Sequence, residues 1–81
     1  MSSFPSERLP LGLGDSGKVI EDLHRLLESA NFPTPTEKST FTKETAGALR
    51  DFQESRHLET TGICDLTTWY ALIEAGYLLG D

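Results

Sequence analysis

Few side chains in this sequence have the types and spacing that catalysis or metal binding demands. His24, His57, Cys64 and Asp65 are the residues a zinc ion would draw on, but no Cys-x-x-Cys or His-x-x-x-His pair joins any two of them, and no metal site is expected. Glu44, Glu54 and Glu59 can be paired on paper. None lies in an apolar run that would raise its pKa for general-acid work, so all three read as solvated helix surface. Ser16 and Ser29 have no accompanying base and oxyanion donors. The pattern predicts neither intrinsic enzymatic activity nor a cofactor. Binding chemistry is better represented. Arg50 and Gln53, at i and i+3, would place guanidinium and amide donors on one helix face, suited to a carboxylate or an acetamido carbonyl. Trp69 and Tyr70 are adjacent, so on a helix they point about 100° apart. Trp69 is expected in the core and Tyr70 at the surface, where it can meet a ligand or partner.

Three predicted helices position these residues. The first starts near residue 17 after Asp15 or Ser16 as cap, buries Val19, Ile20, Leu23, Leu26, Leu27 and Ala30, and ends near Asn31. Pro33 and Pro35 then forbid a helix, and the Phe32 to Thr36 loop is expected to be mobile. The second helix spans about Lys43 to Ser55, with Ala48, Leu49 and Phe52 inward and Arg50, Asp51, Gln53 and Glu54 largely outward; Thr42 caps it and Thr45 bonds back. Leu58 and Ile63 anchor the next connection. The third helix begins after Asp65, turns Leu66, Trp69, Leu72 and Ile73 inward, and stops at Gly76, with Tyr77, Leu78 and Leu79 folding back. The predicted fold is all-α: a small three-helix bundle with extended connections. The phrase Thr-x-x-Ala-Leu occurs at Thr45 to Leu49 and again at Thr68 to Leu72, with Phe41 matching Cys64 and Thr42 matching Asp65 upstream. One helix entrance is thus written twice.

A chain of 81 residues is one domain; it is read as a flexible arm over residues 1–10 and a folded unit over 11–79. A lone cysteine closes no internal disulfide, so the fold rests on packing. A net charge of −6 leaves no basic patch for a phosphate backbone, and no run is apolar enough to span a bilayer; neither nucleic acid nor a membrane is an expected partner. The first ten residues lack the features of a secretory signal. A cell-wall or extracellular location is expected if such a signal precedes this segment, a cytoplasmic one if Met1 is the native start.

Taken in order, Leu11-x-x-Gly14-Asp15-x-Gly17-x-Val19-x-x-x-Leu23, Phe41-x-x-x-Thr45-x-x-Ala48-Leu49-x-x-Phe52-Gln53, Leu58-x-x-x-Gly62-Ile63 and Thr68-Trp69-x-Ala71-Leu72 resemble the peptidoglycan-binding domain of bacterial cell-wall hydrolases. The tail from Ala75 to Asp81 is similar to modules that precede the zinc amidase domain of actinobacterial N-acetylmuramoyl-L-alanine amidases. The resemblance implies a monomeric, non-catalytic three-helix module that tethers a linked amidase or hydrolase to murein through stem peptide or glycan. Arg50, Gln53, Asp65 and Tyr70 are the expected ligand contacts. The alternative is a protein-interaction module of a cytoplasmic amidase-like regulator. The free cysteine is also compatible with a prodomain like that of matrix metalloproteases, but the Pro-Arg-Cys-Gly context of that thiol is absent around Ile63-Cys64-Asp65, and a buried structural cysteine is expected instead. The chain departs from the family pattern where His24 replaces the usual glutamine after the helix-one leucine, an exchange expected in the ligand groove. It departs again where Lys38-Ser39 replaces Asp-Gly and where Thr42 and Asp65 replace glycines.

Overall fold

Helix α1 (Lys18–Ser29), α2 (Lys43–Ser55) and α3 (Leu66–Gly80) follow one another through two extended connections. The computed structural model describes residues 9–80, with side chains through Ala75. Among these residues there is no strand, only isolated antiparallel bridges pairing Leu11 with Cys64 and Ser16 with Thr40. Among the described residues no helix is long and apolar enough to cross a membrane. Of the expected arm, residues 1–8 lie outside the described residues, whereas Leu9 packs against the core.

The helix ends show how local chemistry sets the architecture. Neither Asp15 nor Ser16 caps α1: the N-cap is Gly17, without a side-chain bond. The Asp15 carboxylate instead accepts from the Gly12 amide at 2.8 Å and closes the turn before the helix. Both α1 and α2 end in the same motif. Asn31 (φ 71°) and His57 (φ 61°) take the left-handed conformation. The amides of Phe32 and Leu58 then reach back to the carbonyls of Leu27 and Gln53 at 2.9 and 2.8 Å. Phe32, turned inward by this geometry, meets Phe52 edge-on with ring centroids 5.6 Å apart. The segment after it is anchored further by Thr34 and Lys38, both of which donate to the Glu28 carboxylate. At the start of α2, Thr42 and Thr45 form a reciprocal capping box, and at the start of α3 the Asp65 carboxylate accepts from the Thr68 amide at 2.9 Å. The two copies of the repeated phrase are therefore two capped helix entrances.

The core contains Ile20, Leu23, Leu27, Phe41, Leu49, Phe52, Trp69 and Leu72, with Leu11 and Cys64 closing one end. One expected anchor is corrected: Ile63 is 44% exposed, whereas Cys64 beside it is fully buried, as expected. Leu11 and Cys64 exchange both backbone bonds at 2.9 Å, so their side chains share the inward face, and alternation turns Ile63 outward. Leu66 is 41% exposed, because it lies one turn before outward Tyr70 and off the buried Thr68, Trp69, Leu72 and Ala75 stripe of α3. Helix α3 also continues through Gly76 to Gly80 instead of stopping at Gly76; the expected packing of Tyr77, Leu78 and Leu79 lies outside the described side chains. Gly47 occupies the middle of α2, where glycine is about 1 kcal/mol less favourable than alanine. A Cβ built there meets nothing within 4 Å.

Candidate functional site

Two buried polar residues hold the connections that shape the surface. Gln53, expected on the exposed face of α2 as a ligand contact, is 1% exposed. Its Oε1 accepts from the Thr61 and Gly62 amides, both at 3.0 Å. Its Nε2 donates toward the Ile63 carbonyl at 2.9 Å and the hydroxyls of Thr68 at 3.0 Å and Thr61 at 3.3 Å. With donors and acceptor engaged inside the fold, Gln53 is not a ligand contact but the clamp that sets the connection against the start of α3.

His24 plays the matching part at the start of α2. It is 1% exposed, with Nδ1 2.8 Å from the Lys38 carbonyl and Nε2 2.8 Å from Thr45 Oγ1. A carbonyl only accepts, so Nδ1 carries the proton and the Thr45 hydroxyl donates to Nε2. Thr45 Oγ1 in turn accepts from the Thr42 amide at 3.1 Å, which ties His24 into the capping box. Burial is the main cause that holds the His24 pKa below its ordinary value; Lys38 lowers it too, against the raising effects of the carbonyl bond and Glu28. A depressed folded-state pKa makes the site neutral in both states at neutral pH. Once pH falls below about 6.5, the unfolded chain takes up a proton that the folded chain resists. Stability is therefore expected to fall as the pH drops through about 6.5, the ordinary histidine value, until the folded site also takes up its proton. His24→Gln should flatten that part of the profile in melts followed by circular dichroism, and an unchanged slope would disprove the assignment.

The remaining expected contacts lie outside these clamps. Arg50 is exposed and lies across the Gln53-bound connection: a Cβ on Gly62 would sit 2.8 Å from Arg50 Nη1, and Gly62 has φ 77°. The positive φ favours glycine there, whereas the nearest atom to an added Cβ is the end of the flexible Arg50 side chain, which can move aside. Arg50 and Gln53 thus meet the same connection, one from solvent and one from the core. Asp65 is exposed, with one carboxylate oxygen engaged as the α3 cap. Tyr70 is 48% exposed and follows Leu66 by one turn, so the two share a stripe beside outward Ile63. Five residues separate Asp65 from Tyr70, which places them on different faces. A second feature escaped the sequence reading. Pro33, Thr34, Glu44, Gly47, Ala48 and Asp51 line an open groove of about 280 Å³ between the first connection and α2. Cys64 is no reactive group, because burial, and secondarily Asp65, push its thiol up to about 12.

A family model described as "Putative peptidoglycan binding domain" matches residues 16–72, most of the chain. The chain belongs to this peptidoglycan-binding domain family. The peptidoglycan-binding domain described above is similar to the crystal structure of the SleB N-terminal domain, with a TM-score of 0.83 and 28% identity over 91% of this chain and 99% of that one. It is also similar to a peptidoglycan-binding protein from Clostridioides difficile crystallised with glutamine hydroxamate, with a TM-score of 0.73 and 27% identity. That match covers 86% of this chain and 42% of the other, so the chain spans less than half of that protein. No curated protein sequence matches the chain. Within the family pattern, His24 stands where glutamine is usual, and its burial corrects the expectation that the exchange alters a ligand groove. The imidazole keeps a carbonyl and a threonine as partners, as Gln53 does one helix later.

Proposed function

We propose that this domain is a monomeric, non-catalytic module that binds peptidoglycan and holds a linked cell-wall amidase or hydrolase against its substrate. The family match over residues 16–72 carries this reading. The site chemistry supports it. The surface beside the two clamps offers a cation and an aromatic ring.

Arg50, exposed on α2 across Gly62, supplies donors for stem-peptide carboxylates or acetamido carbonyls. Tyr70, with Leu66 and Ile63, supplies a half-exposed apolar face for sugar or peptide. Asp65 contributes its remaining carboxylate oxygen. A single small module is expected to bind with a dissociation constant of roughly 10 µM to 1 mM, strengthened on an insoluble polymer by multivalency.

Arg50→Ala with Tyr70→Ala should weaken co-sedimentation with purified cell walls by about tenfold, equivalent to about 1.4 kcal/mol. The melting temperature should stay near wild type, because both side chains are largely outside the core. Wild-type protein that fails to co-sediment at low salt would shift the reading to a protein-interaction module. Soluble muropeptides released in proportion to added protein would refute the non-catalytic assignment.

A further inference from the structure

Arg50, which follows Gly47 by three residues, borders the groove on α2 but is not among its lining residues. Its floor is Gly47 and Ala48, and Pro33 and Thr34 form the opposite side. Nothing in the fold requires glycine at position 47: the residue is helical, its φ is not positive, and a side chain would meet open space. The internal repeat supplies a comparison, because α3 carries Tyr70 at the corresponding place. The missing side chain on α2 keeps the groove open and lets another chain approach the helix closely.

The walls have one sign of charge. Glu44 and Asp51 flank the floor about two helical turns apart, roughly 10 Å along the axis. Both are exposed. Asp51 makes no side-chain hydrogen bond or ion pair with the described residues, and Glu44 receives one bond, from the Thr42 hydroxyl at 3.0 Å. Lys38 reaches Thr34 Oγ1 at 2.8 Å beside the groove but is paired with Glu28. An apolar floor between exposed carboxylates complements a flexible aliphatic chain that ends in a primary ammonium, and it repels a carboxylate.

Resting on the peptidoglycan reading, we propose that this groove binds the free side-chain amine of a lysine-type diamino acid in the stem peptide, in which the chain ends in the ammonium with no carboxylate beside it. Cross-linking converts the amine of the acceptor stem to an uncharged amide, so the groove makes the domain selective for stem peptides that have not served as acyl acceptors. The ammonium lies between Glu44 and Asp51, its methylene chain on Gly47 and Ala48.

The test uses this 81-residue protein and a soluble lysine-type disaccharide–tripeptide muropeptide with its side-chain amine either free or acetylated, titrated by calorimetry. Acetylation should weaken binding at least fivefold. Glu44→Gln with Asp51→Asn should bring the free-amine ligand down to the affinity of the acetylated one and leave the latter unchanged. Gly47→Leu should block the groove, whereas Gly47→Ala should melt at or above the wild-type temperature as a folding control. Equal affinity for the free and acetylated ligands, or full discrimination by the doubly neutralised variant, would overturn the groove assignment. In that event, continued co-sedimentation with whole cell walls leaves the peptidoglycan reading standing. Loss of that co-sedimentation in the wild type would instead remove the reading itself.

Discussion

Gln53→Ala is expected to lower the unfolding free energy by about 3–5 kcal/mol, a large part of the roughly 4–12 kcal/mol available to a domain of this size. The reason is the number of groups it abandons. The amides of Thr61 and Gly62, the carbonyl of Ile63 and the hydroxyl of Thr68 all turn toward one buried carboxamide. A methyl group satisfies none of them and leaves a void beside the start of α3. Gln53→Glu should also destabilise, because a carboxylate repels the Ile63 carbonyl and cannot donate to Thr68. Urea denaturation followed by helical circular dichroism measures both effects. A loss below about 1 kcal/mol for the alanine variant would show that water replaces the clamp.

Trp69→Ala should be as severe, at about 3–5 kcal/mol, since the ring is 96% buried among residues from all three helices, its exposure being 4%. Its indole N–H is buried and has no hydrogen-bond partner among the described residues. The polar atom therefore adds little to stability, and Trp69→Phe should fall within about 1.5 kcal/mol of wild type. Tyr70→Ala, one position along, should melt nearly as wild type. If the Trp69 and Tyr70 variants melted alike, the division between core and surface on α3 would be wrong.

Helix positions and the capped entrances of α2 and α3 were legible in the sequence because their signals are local, whereas the α1 cap expected at Asp15 or Ser16 is not realised. Thr42, Thr45 and Asp65 act through atoms three residues away, and the stripes Val19–Ile20–Leu23–Leu27 and Leu49–Phe52 need only the helical period. The buried polar clamps were not. A helical wheel assigns Gln53 and His24 by polarity, whereas their burial depends on loops that end up 8 to 15 and 14 to 21 residues away. Ile63 was read as the anchor by hydrophobicity, yet an extended segment alternates, and the register came from Leu11 pairing with Cys64 across the molecule. The repeat held this information already, by matching Cys64 with the buried Phe41. Gly76 failed as a stop because glycine weakens a helix without forbidding it. The groove was invisible because its emptiness at Gly47 appears only when Pro33 and Thr34 are placed opposite.

The bond pair between Leu11 and Cys64 also dictates an order of assembly. Residue 11 must wait for a partner 53 positions later, and α1 packs more extensively on α3 than on its neighbour in sequence, α2. A nascent chain that has exposed only the first two helices lacks the surface against which α1 closes. Productive folding therefore waits until α3 has been made and involves long loop closure, which should make this module a slower folder than helical bundles dominated by nearest-neighbour packing.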